Sequence, residues 1–252
     1  MSTEGKTITC RAAVLWKEGS PLTVETITVD PPKKGEVRVR MVAAGVCATD
    51  AHFVWGWPTD LALDFEGLPV VLGHEGAGVV ESVGAGVTAV SAGDKVVLMW
   101  MPECGVCDLC RNPKTNFCSV GNFYTTLYHD NRETRMKVNG KPLLSLAGTS
   151  TFSEYAVVRQ SQVAKVNPSA DLKTGCIIGC AVGTGYGSAT NIARVHKGGK
   201  CAVWGLGAIG LSAVIGCKDS SADTIVGIDI NGEKEAIARQ MGCNEFINPK
   251  SL

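Results

Sequence analysis

A glycine-rich run, GLGAIG at residues 205–210, constrains the fold of this 252-residue chain more than any other feature. It follows a short apolar segment typical of a buried strand and precedes a segment with helical spacing. Gly205, Gly207 and Gly210 fit the pattern G-x-G-x-x-G, whose glycines let a phosphate approach the backbone at a helix N-terminus. Asp229 stands 19 positions after Gly210, where a carboxylate can bind a ribose diol. These residues predict a dinucleotide site.

The surrounding residues continue this alternation of strands and helices. Strands are predicted at 200–206, 224–229 and 245–247, and helices at 208–218 and 231–241, with Asn231 as the cap of the second helix. Such repeats form half of a doubly wound parallel Rossmann sheet, which has six strands when complete. We therefore expect an incomplete cofactor domain at 182–252.

The first part of the chain has a different, β-rich pattern. Short β runs are predicted at 8–15, 22–29, 36–44, 70–83 and 95–99. Glycine- and proline-rich turns separate them, and glycines between 73 and 93 indicate bulges and tight corners. We expect a barrel-like antiparallel domain at 1–181, so the whole chain is predicted to be of the α/β class.

Four of the 11 cysteines fall in a span of 15 residues inside a polar loop predicted at 102–118. Their spacing is C-x2-C-x2-C-x7-C, and they are Cys104, Cys107, Cys110 and Cys118. Such gaps let a loop direct four thiolates at one tetrahedral zinc ion, which is structural because no coordination position stays open. The alternatives are an iron–sulfur cluster, whose bacterial pattern has a shorter last gap followed by proline, and four unrelated buried cysteines.

A second set of metal-ligating residue types is spread along the chain. His74 lies in the glycine-dense segment GHEGAG at 73–78, Cys47 lies upstream, and Cys180 follows Gly179 far downstream. Each residue alone is more typical of a protein core. Together they form a Cys2His set, which leaves one zinc position open for water or a substrate oxygen.

The segment 73–87 reads G-H-E-x2-G-x5-G-x2-V and resembles the signature of the zinc alcohol dehydrogenases in the medium-chain dehydrogenase/reductase family. The run GTSTFSEY at 148–155 and the loop cysteines extend the similarity along the chain. The resemblance implies a GroES-like catalytic domain and two zinc ions. It implies that Cys47, His74 and Cys180 hold the catalytic zinc, with Glu75 as a transient ligand.

The same resemblance assigns further roles. Asp50 would orient His74, as metal-bound imidazoles require, and Thr49 and His52 would carry a proton out of the site. Lys234 would contact the adenosine ribose of NAD, Thr184 would meet the nicotinamide, and Ile209, within the glycine run, would pack behind the nicotinamide. Trp100, Leu146 and Ala147 would line the substrate pocket. Asp229 favours NAD over NADP, because a carboxylate repels a 2′-phosphate.

The substrate class is predicted from departures within the family. Asp64 and Glu66 resemble class III, the glutathione-dependent formaldehyde dehydrogenases, but Asn122 replaces the arginine that class III uses for glutathione. His52 resembles class I. We expect oxidation of a primary or secondary alcohol, with S-(hydroxymethyl)glutathione oxidation as the alternative. A non-catalytic zinc-binding protein is the alternative of another class.

Composition excludes several other classes of protein. Lysine plus arginine equals aspartate plus glutamate at 24 each, so no basic excess favours nucleic acid or an anionic membrane. No apolar run has the roughly 18–20 residues that span a bilayer, and the N-terminus does not resemble a signal peptide. We expect a cytoplasmic protein with a small-molecule substrate. The family forms homodimers, and we expect its dimer-forming strand to be missing here.

Overall fold

The computed structural model describes residues 3–56, 68–120 and 133–251. The chain divides into two compact units, Met1–Gly179 and Cys180–Leu252. This division lies two residues before the boundary predicted after residue 181.

The first unit is built on two β-sheets. Its strands are β1 (Ile8–Leu15), β2 (Thr23–Val29), β3 (Glu36–Gly45), β4 (Val70–Val71), β5 (Glu75–Val83), β6 (Lys95–Leu98), β7 (Met136–Val138), β8 (Lys141–Ser145), β9 (Tyr155–Arg159) and β10 (Val163–Lys165). One sheet is a closed barrel in the order β1-β2-β7-β8-β4, and the other has the order β10-β6-β5-β3-β9. The predicted barrel-like domain is confirmed, although β4 and β8 pair in parallel rather than antiparallel.

Alternating side chains explain why the barrel closes. In β1, Ile8, Cys10, Ala12 and Val14 are buried, whereas Arg11 between them is exposed. This period of two places one face of the strand in the apolar interior. Burial of that face is the main favourable term for this part of the fold.

The predicted β run at 70–83 is interrupted at 72–74. Gly73 has φ +90°, a left-handed conformation that favours glycine, so the chain leaves the sheet between β4 and β5. The Gly73 N–H donates to Asp50 Oδ1 at 2.9 Å, which gives this backbone group a buried partner outside the sheet. The break therefore places His74 beside Asp50 rather than in a regular strand.

Three α-helices occur among the described residues of the first unit: α1 (Ala48–Trp55), α2 (Asp108–Arg111) and α3 (Leu172–Gly175). A 3-10 turn at Cys176–Gly179 follows α3, and others lie at Leu146–Gly148 and Gln160–Gln162. Phe53 of α1 packs into an apolar cluster with Leu15 and Leu72. This packing fixes α1, which carries the predicted Thr49 and His52, against the barrel.

The second unit contains a parallel sheet in the order β11-β12-β13, as predicted for half of a Rossmann fold. Its elements are α4 (Ala181–Gly187), a π-helical turn (Ser188–Ile192), β11 (Lys200–Trp204), α5 (Ala208–Asp219), β12 (Thr224–Ile228), α6 (Lys234–Met241), β13 (Glu245–Ile247) and a 3-10 turn (Pro249–Ser251). Leu206, Val214, Ile225 and Ala238 form its buried core.

The start of α6 differs from the prediction. Asn231 was expected to cap this helix, but the helix begins at Lys234. The Asn231 side chain instead accepts from the Glu233 N–H at 3.0 Å, forming a local turn that competes with helix. Among the described residues, no helix has the length and apolar character needed to cross a bilayer.

Candidate functional site

The four predicted loop cysteines lie together around α2. The Cys104 and Cys110 sulfurs are 3.9 Å apart, and the ligand atoms of all four, including Cys107 and Cys118, lie within 4.8 Å of one another. Four thiolates at about 2.3 Å from one tetrahedral ion are roughly 3.8 Å apart. The arrangement therefore fits a closed tetrathiolate site for zinc.

Hydrogen bonds to sulfur favour the thiolate form in this loop. The backbone N–H of Val106 lowers the pKa of Cys104, and contacts with the Ser119 hydroxyl and backbone lower the pKa of Cys107 to about 5. Thiolates are the form that binds metal. A backbone hydrogen bond lowers the pKa of Cys110, but burial and the neighbouring Cys107 and Cys118 outweigh it and raise that pKa to about 12. The loop's own donors thus favour the thiolate form at Cys104 and Cys107.

A second cluster combines residues that are far apart in sequence. Its members are Cys47, His74, Glu75 and Cys180, whose ligand atoms lie within 4.8 Å of one another. Cys47 immediately precedes α1, His74 and Glu75 lie at the start of β5, and Cys180 follows the turn Cys176–Gly179. The second predicted set is thus brought together, with a carboxylate beside it.

Two glycines make room for this cluster. A Cβ on Gly179 would lie 2.0 Å from the Leu98 carbonyl oxygen, so only glycine allows the turn before Cys180 to pass so close to β6. A Cβ on Gly45 would lie 2.1 Å from Glu75 Oε2. The glycine at position 45 therefore leaves the space that the Glu75 carboxylate occupies.

Asp50 faces both the backbone and the imidazole of the cluster. Its Oδ2 accepts from the Cys47 N–H at 3.0 Å, and its Oδ1 accepts from the Gly73 N–H. His74 Nδ1 lies 3.4 Å from Asp50 Oδ1, a long contact without a well-formed hydrogen bond. Because Asp50 faces Nδ1, the other ring nitrogen of His74 is the one that can bind a metal.

The charges around His74 favour a cation. Burial lowers the pKa of His74, but the nearby acidic groups of Asp50 and Cys47 outweigh burial and raise it to about 9. His74 is thus placed among acidic groups that favour a positive charge. Two thiols, an imidazole and a carboxylate also form a donor set that suits zinc, so the residues fit the implied metal.

This pKa gives a pH dependence for metal binding. A metal must displace the proton of His74, so the affinity of the second cluster for zinc should fall at least tenfold per pH unit below about 9. Chelator competition between pH 6.5 and 9.5 measures this slope. A His196→Gln variant, altered at an exposed histidine, should keep the same slope. A constant affinity between pH 7 and 9 would contradict the prediction.

The predicted proton-relay residues share one side of α1. Thr49 and His52 are separated by three positions, which places them one turn apart on the helix, and both are half-buried. Thr49 follows Cys47 by two residues and so lies close to the second cluster in sequence. Their role as a proton path stays a prediction.

The predicted pocket residues belong to one apolar cluster. Leu146 and Ala147 are 2% and 3% exposed and pack with Leu15 and Phe53, and Trp100 is half-buried against the same cluster. Ala147 has φ +52°, the left-handed region, which is uncommon for alanine. Trp100 and the pair Leu146 and Ala147 thus pack in the same apolar cluster, and their role in binding substrate stays a prediction.

The glycine run adopts the geometry that a phosphate loop needs. Gly205 has φ +80°, and Gly207 lies immediately before α5. A Cβ on Gly210 would lie 1.8 Å from the Gly205 carbonyl oxygen, whereas a Cβ on Gly207 would meet no atom of the described residues within 4 Å. The helix N-terminus is therefore open beside Gly207, and Gly210 provides the close packing of α5 on the loop.

Asp229 lies at the end of β12 and contacts the same loop. Its Oδ2 accepts from the Leu206 N–H at 2.7 Å and its Oδ1 from the Asn231 N–H at 2.8 Å. These two hydrogen bonds lower the pKa of Asp229, and the one from Asn231 has the larger effect. The positive charge of Lys234 adds a smaller effect. The carboxylate is thus ionised and fixed next to the glycine run.

The remaining predicted cofactor residues lie on helices of the second unit. Lys234 is the first residue of α6, and Thr184 is exposed on α4. Ile209 is 49% exposed in the first turn of α5, where a Cβ on Gly185 would lie 2.1 Å from its carbonyl oxygen. Close packing of α4 on α5 thus fixes Thr184 relative to Ile209, but their contacts with NAD stay predictions.

Some residues that argue for substrate class cannot be placed. Asp64, Glu66 and Asn122 lie outside the residues that the structure describes.

Sequence reasoning did not single out several residues that shape these sites. Gly45 and Gly179 stand one or two positions before a predicted cysteine ligand, and that adjacency is a signal that could have identified them. Ser119 directly follows Cys118 and contacts Cys107. Gln162 has no signal in the sequence, because its importance depends on carbonyl groups that only the fold places around it.

The geometry agrees with a known family. Residues 33–168 match the model of the alcohol dehydrogenase GroES-like domain, which covers more than half of the chain. The chain belongs to this family, the zinc alcohol dehydrogenases of the medium-chain dehydrogenase/reductase type, and the resemblance predicted from the GHE segment is confirmed.

Particular relatives support this assignment. The chain is 47% identical over 245 residues to a geraniol dehydrogenase of Carpoglyphus lactis, covering 97% of this chain and 64% of the relative. An alcohol dehydrogenase zinc-binding domain protein from Burkholderia ambifaria is similar at 35% identity and a TM-score of 0.84, covering 98% of this chain and 66% of that protein. Benzyl alcohol dehydrogenase from Acinetobacter calcoaceticus is similar at 30% identity and a TM-score of 0.81, covering 97% of this chain and 65% of that protein. The chain thus spans slightly less than two thirds of each relative.

Proposed function

We propose that this chain supplies the zinc centres and the adenosine-side cofactor site of an NAD-dependent alcohol dehydrogenase. The proposed reaction oxidises a primary or secondary alcohol to an aldehyde or ketone. One observation carries the proposal: Cys47, His74 and Cys180 converge with Glu75, so that a metal held by the first three keeps an open position. The tetrathiolate loop, by contrast, has no open position and is proposed to be structural.

Different residues of the chain have different proposed roles in this reaction. Zinc held by Cys47, His74 and Cys180 would polarise the alcohol oxygen and lower its pKa, and NAD held at the glycine run would accept the hydride from the carbon. Asp50 holds the His74 ring in the orientation that presents its second nitrogen to the site. Thr49 is proposed to accept the substrate proton and His52 to receive it afterwards.

Asp229 and the glycine run support the choice of cofactor. The N-terminus of α5, with Gly205 and Gly207 before it, offers backbone N–H groups and a positive dipole end to a pyrophosphate. Asp229 is ionised beside this loop and would repel a 2′-phosphate. Lys234, Thr184 and Ile209 are proposed to complete the NAD contacts.

Replacing Asp229 tests the cofactor preference. An Asp229→Asn variant removes the negative charge, so the ratio of NAD to NADP affinity should fall about tenfold or more. Fluorescence titration with both cofactors measures the ratio. Asp223→Asn changes an exposed aspartate just before the opposite end of β12 and should leave the ratio unchanged. An unaltered ratio in Asp229→Asn would contradict the role.

The proposed substrates are alcohols with an apolar group. The cluster containing Trp100, Leu146 and Ala147 is apolar, and two relatives are named for geraniol and benzyl alcohol. Asn122 lacks the cationic group that would bind glutathione carboxylates, so S-(hydroxymethyl)glutathione remains the second candidate. Homodimer formation and a cytoplasmic location stay predictions.

An activity assay tests the function directly. The purified chain should reduce NAD with geraniol or benzyl alcohol, and chelation of its metal should abolish the reaction. Activity confined to formaldehyde with glutathione would favour the second candidate. Metal binding without reduction of NAD by any of these substrates would favour a non-catalytic zinc-binding protein.

A further inference from the structure

Gln162 is fully buried in the first unit and connects two segments that are distant in sequence. Its Nε2 donates to the Ala147 carbonyl oxygen at 2.8 Å. The same nitrogen lies 3.4 Å from the Met99 carbonyl oxygen and 3.5 Å from that of Trp100. One amide group thus reaches the end of β6 and the 3-10 turn Leu146–Gly148.

The chemistry of the amide explains this arrangement. An NH2 group has two N–H donors, so one serves Ala147 and the other is shared by the two longer contacts with Met99 and Trp100. Among the described residues, Gln162 Oε1 has no hydrogen-bond partner. The three carbonyl oxygens therefore fix which way the amide points, even at the expense of its own acceptor.

The backbone of the same turn reinforces the connection. The Met99 N–H donates to the Gln162 carbonyl at 2.9 Å, and Val163 pairs with Leu98 in β10 and β6. On the other side, Ala147 holds a left-handed φ of +52°. An uncommon backbone conformation persists where surrounding contacts hold it, and the short bond from Gln162 is such a contact.

We propose that Gln162 is a positioning residue that sets substrate selectivity by holding Trp100 and the turn Leu146–Gly148 in a fixed arrangement. The inference rests on the proposed function, because these segments are proposed to line the alcohol pocket. Gln162 reaches the backbone of both segments, and no contact between it and substrate is needed. Its loss would let the pocket wall shift without removing any group that takes part in the reaction.

A Gln162→Met variant tests this role in the whole chain. Methionine has similar length and removes the unpartnered Oε1. It also takes the donor from the Ala147, Met99 and Trp100 carbonyl oxygens, so some stability should be lost while the fold survives. Gln160→Met is the matched control, because Gln160 lies in the same turn but its Oε1 accepts from the Thr88 N–H near the surface.

Hydrogen exchange gives a readout that does not depend on activity. The Thr149 and Ser150 N–H groups both donate to the Leu146 carbonyl, so they report on the turn. In Gln162→Met their exchange should accelerate about tenfold, while amides of β1 keep their wild-type rates. In Gln160→Met both sets should be unchanged. Uniform acceleration throughout the first unit, or no acceleration at the turn, would overturn the positioning role.

Kinetics then test selectivity. The ratio of kcat/KM for geraniol to that for ethanol should fall about threefold to tenfold in Gln162→Met, the range that one hydrogen bond supplies. An unchanged ratio despite faster exchange at the turn would overturn the selectivity role. If the wild-type chain oxidises no alcohol, the proposed function fails and selectivity with it, whereas the exchange experiment still decides whether Gln162 holds the turn.

Discussion

A Cys47→Ala variant should lose one of its two metal ions and at least roughly a thousandfold in alcohol oxidation, since a catalytic metal supplies several kcal/mol to the transition state. The thiol lies in the cluster with His74 and Cys180, and its backbone N–H is held by Asp50. Removing it leaves His74 and Cys180, with Glu75 only as the transient ligand that the family resemblance implies, so zinc should bind far more weakly. Metal analysis and NAD reduction measure the two losses.

The matched control for this variant is Cys10→Ala. Cys10 is a buried cysteine of β1 whose sulfur lies 3.8 Å from the Ser153 hydroxyl, and it belongs to neither metal cluster. Its replacement should keep both metal ions and most of the activity. Full metal content in Cys47→Ala, or equal losses in the two variants, would contradict the assignment of Cys47.

A Gly210→Ala variant should destabilise the second unit by about 3 kcal/mol or more and abolish NAD binding. Its Cβ would lie 1.8 Å from the Gly205 carbonyl oxygen, a backbone atom that cannot move away without distorting the loop. Overpacking of this kind costs about 1–3 kcal/mol even where side chains can adjust. Denaturant unfolding and NAD titration measure the effects.

Gly207→Ala separates the packing effect from the chemistry of the loop. In the part of the chain that the structure describes, no atom lies within 4 Å of a Cβ at this position, and the residue precedes α5 in an extended conformation. Its stability should stay within about 1 kcal/mol of the wild type. NAD affinity can still fall, because the pyrophosphate is proposed to approach here. Equal destabilisation by both variants would contradict the packing argument.

Features whose chemistry requires fixed spacing could be predicted from the sequence. The four loop cysteines and the run 205–210 are short motifs, and the structure gives each the geometry that its spacing implies. Asp229 was also placed correctly at the end of a strand, because a period of apolar residues defined that strand.

Other features depend on contacts that only the complete fold provides. Spacing cannot show that Cys180 meets Cys47 and His74, so the prediction depended on their residue types beside glycine turns and on the family resemblance. The break at 72–74 depends on an acceptor from α1, and the late start of α6 depends on a local turn at Asn231. The role of Gln162 depends on three carbonyl oxygens that only the fold brings to its amide.

The central claim is that the cluster of Cys47, His74 and Cys180 holds the zinc ion on which oxidation of alcohol by NAD depends. Returning zinc stepwise to metal-free protein, while recording the rate of NAD reduction with benzyl alcohol, tests it most directly. With occupancy of the loop and the cluster followed separately, the rate should rise in proportion to occupancy of the cluster. A rate that follows loop occupancy alone, or that is unchanged by zinc, would contradict the claim.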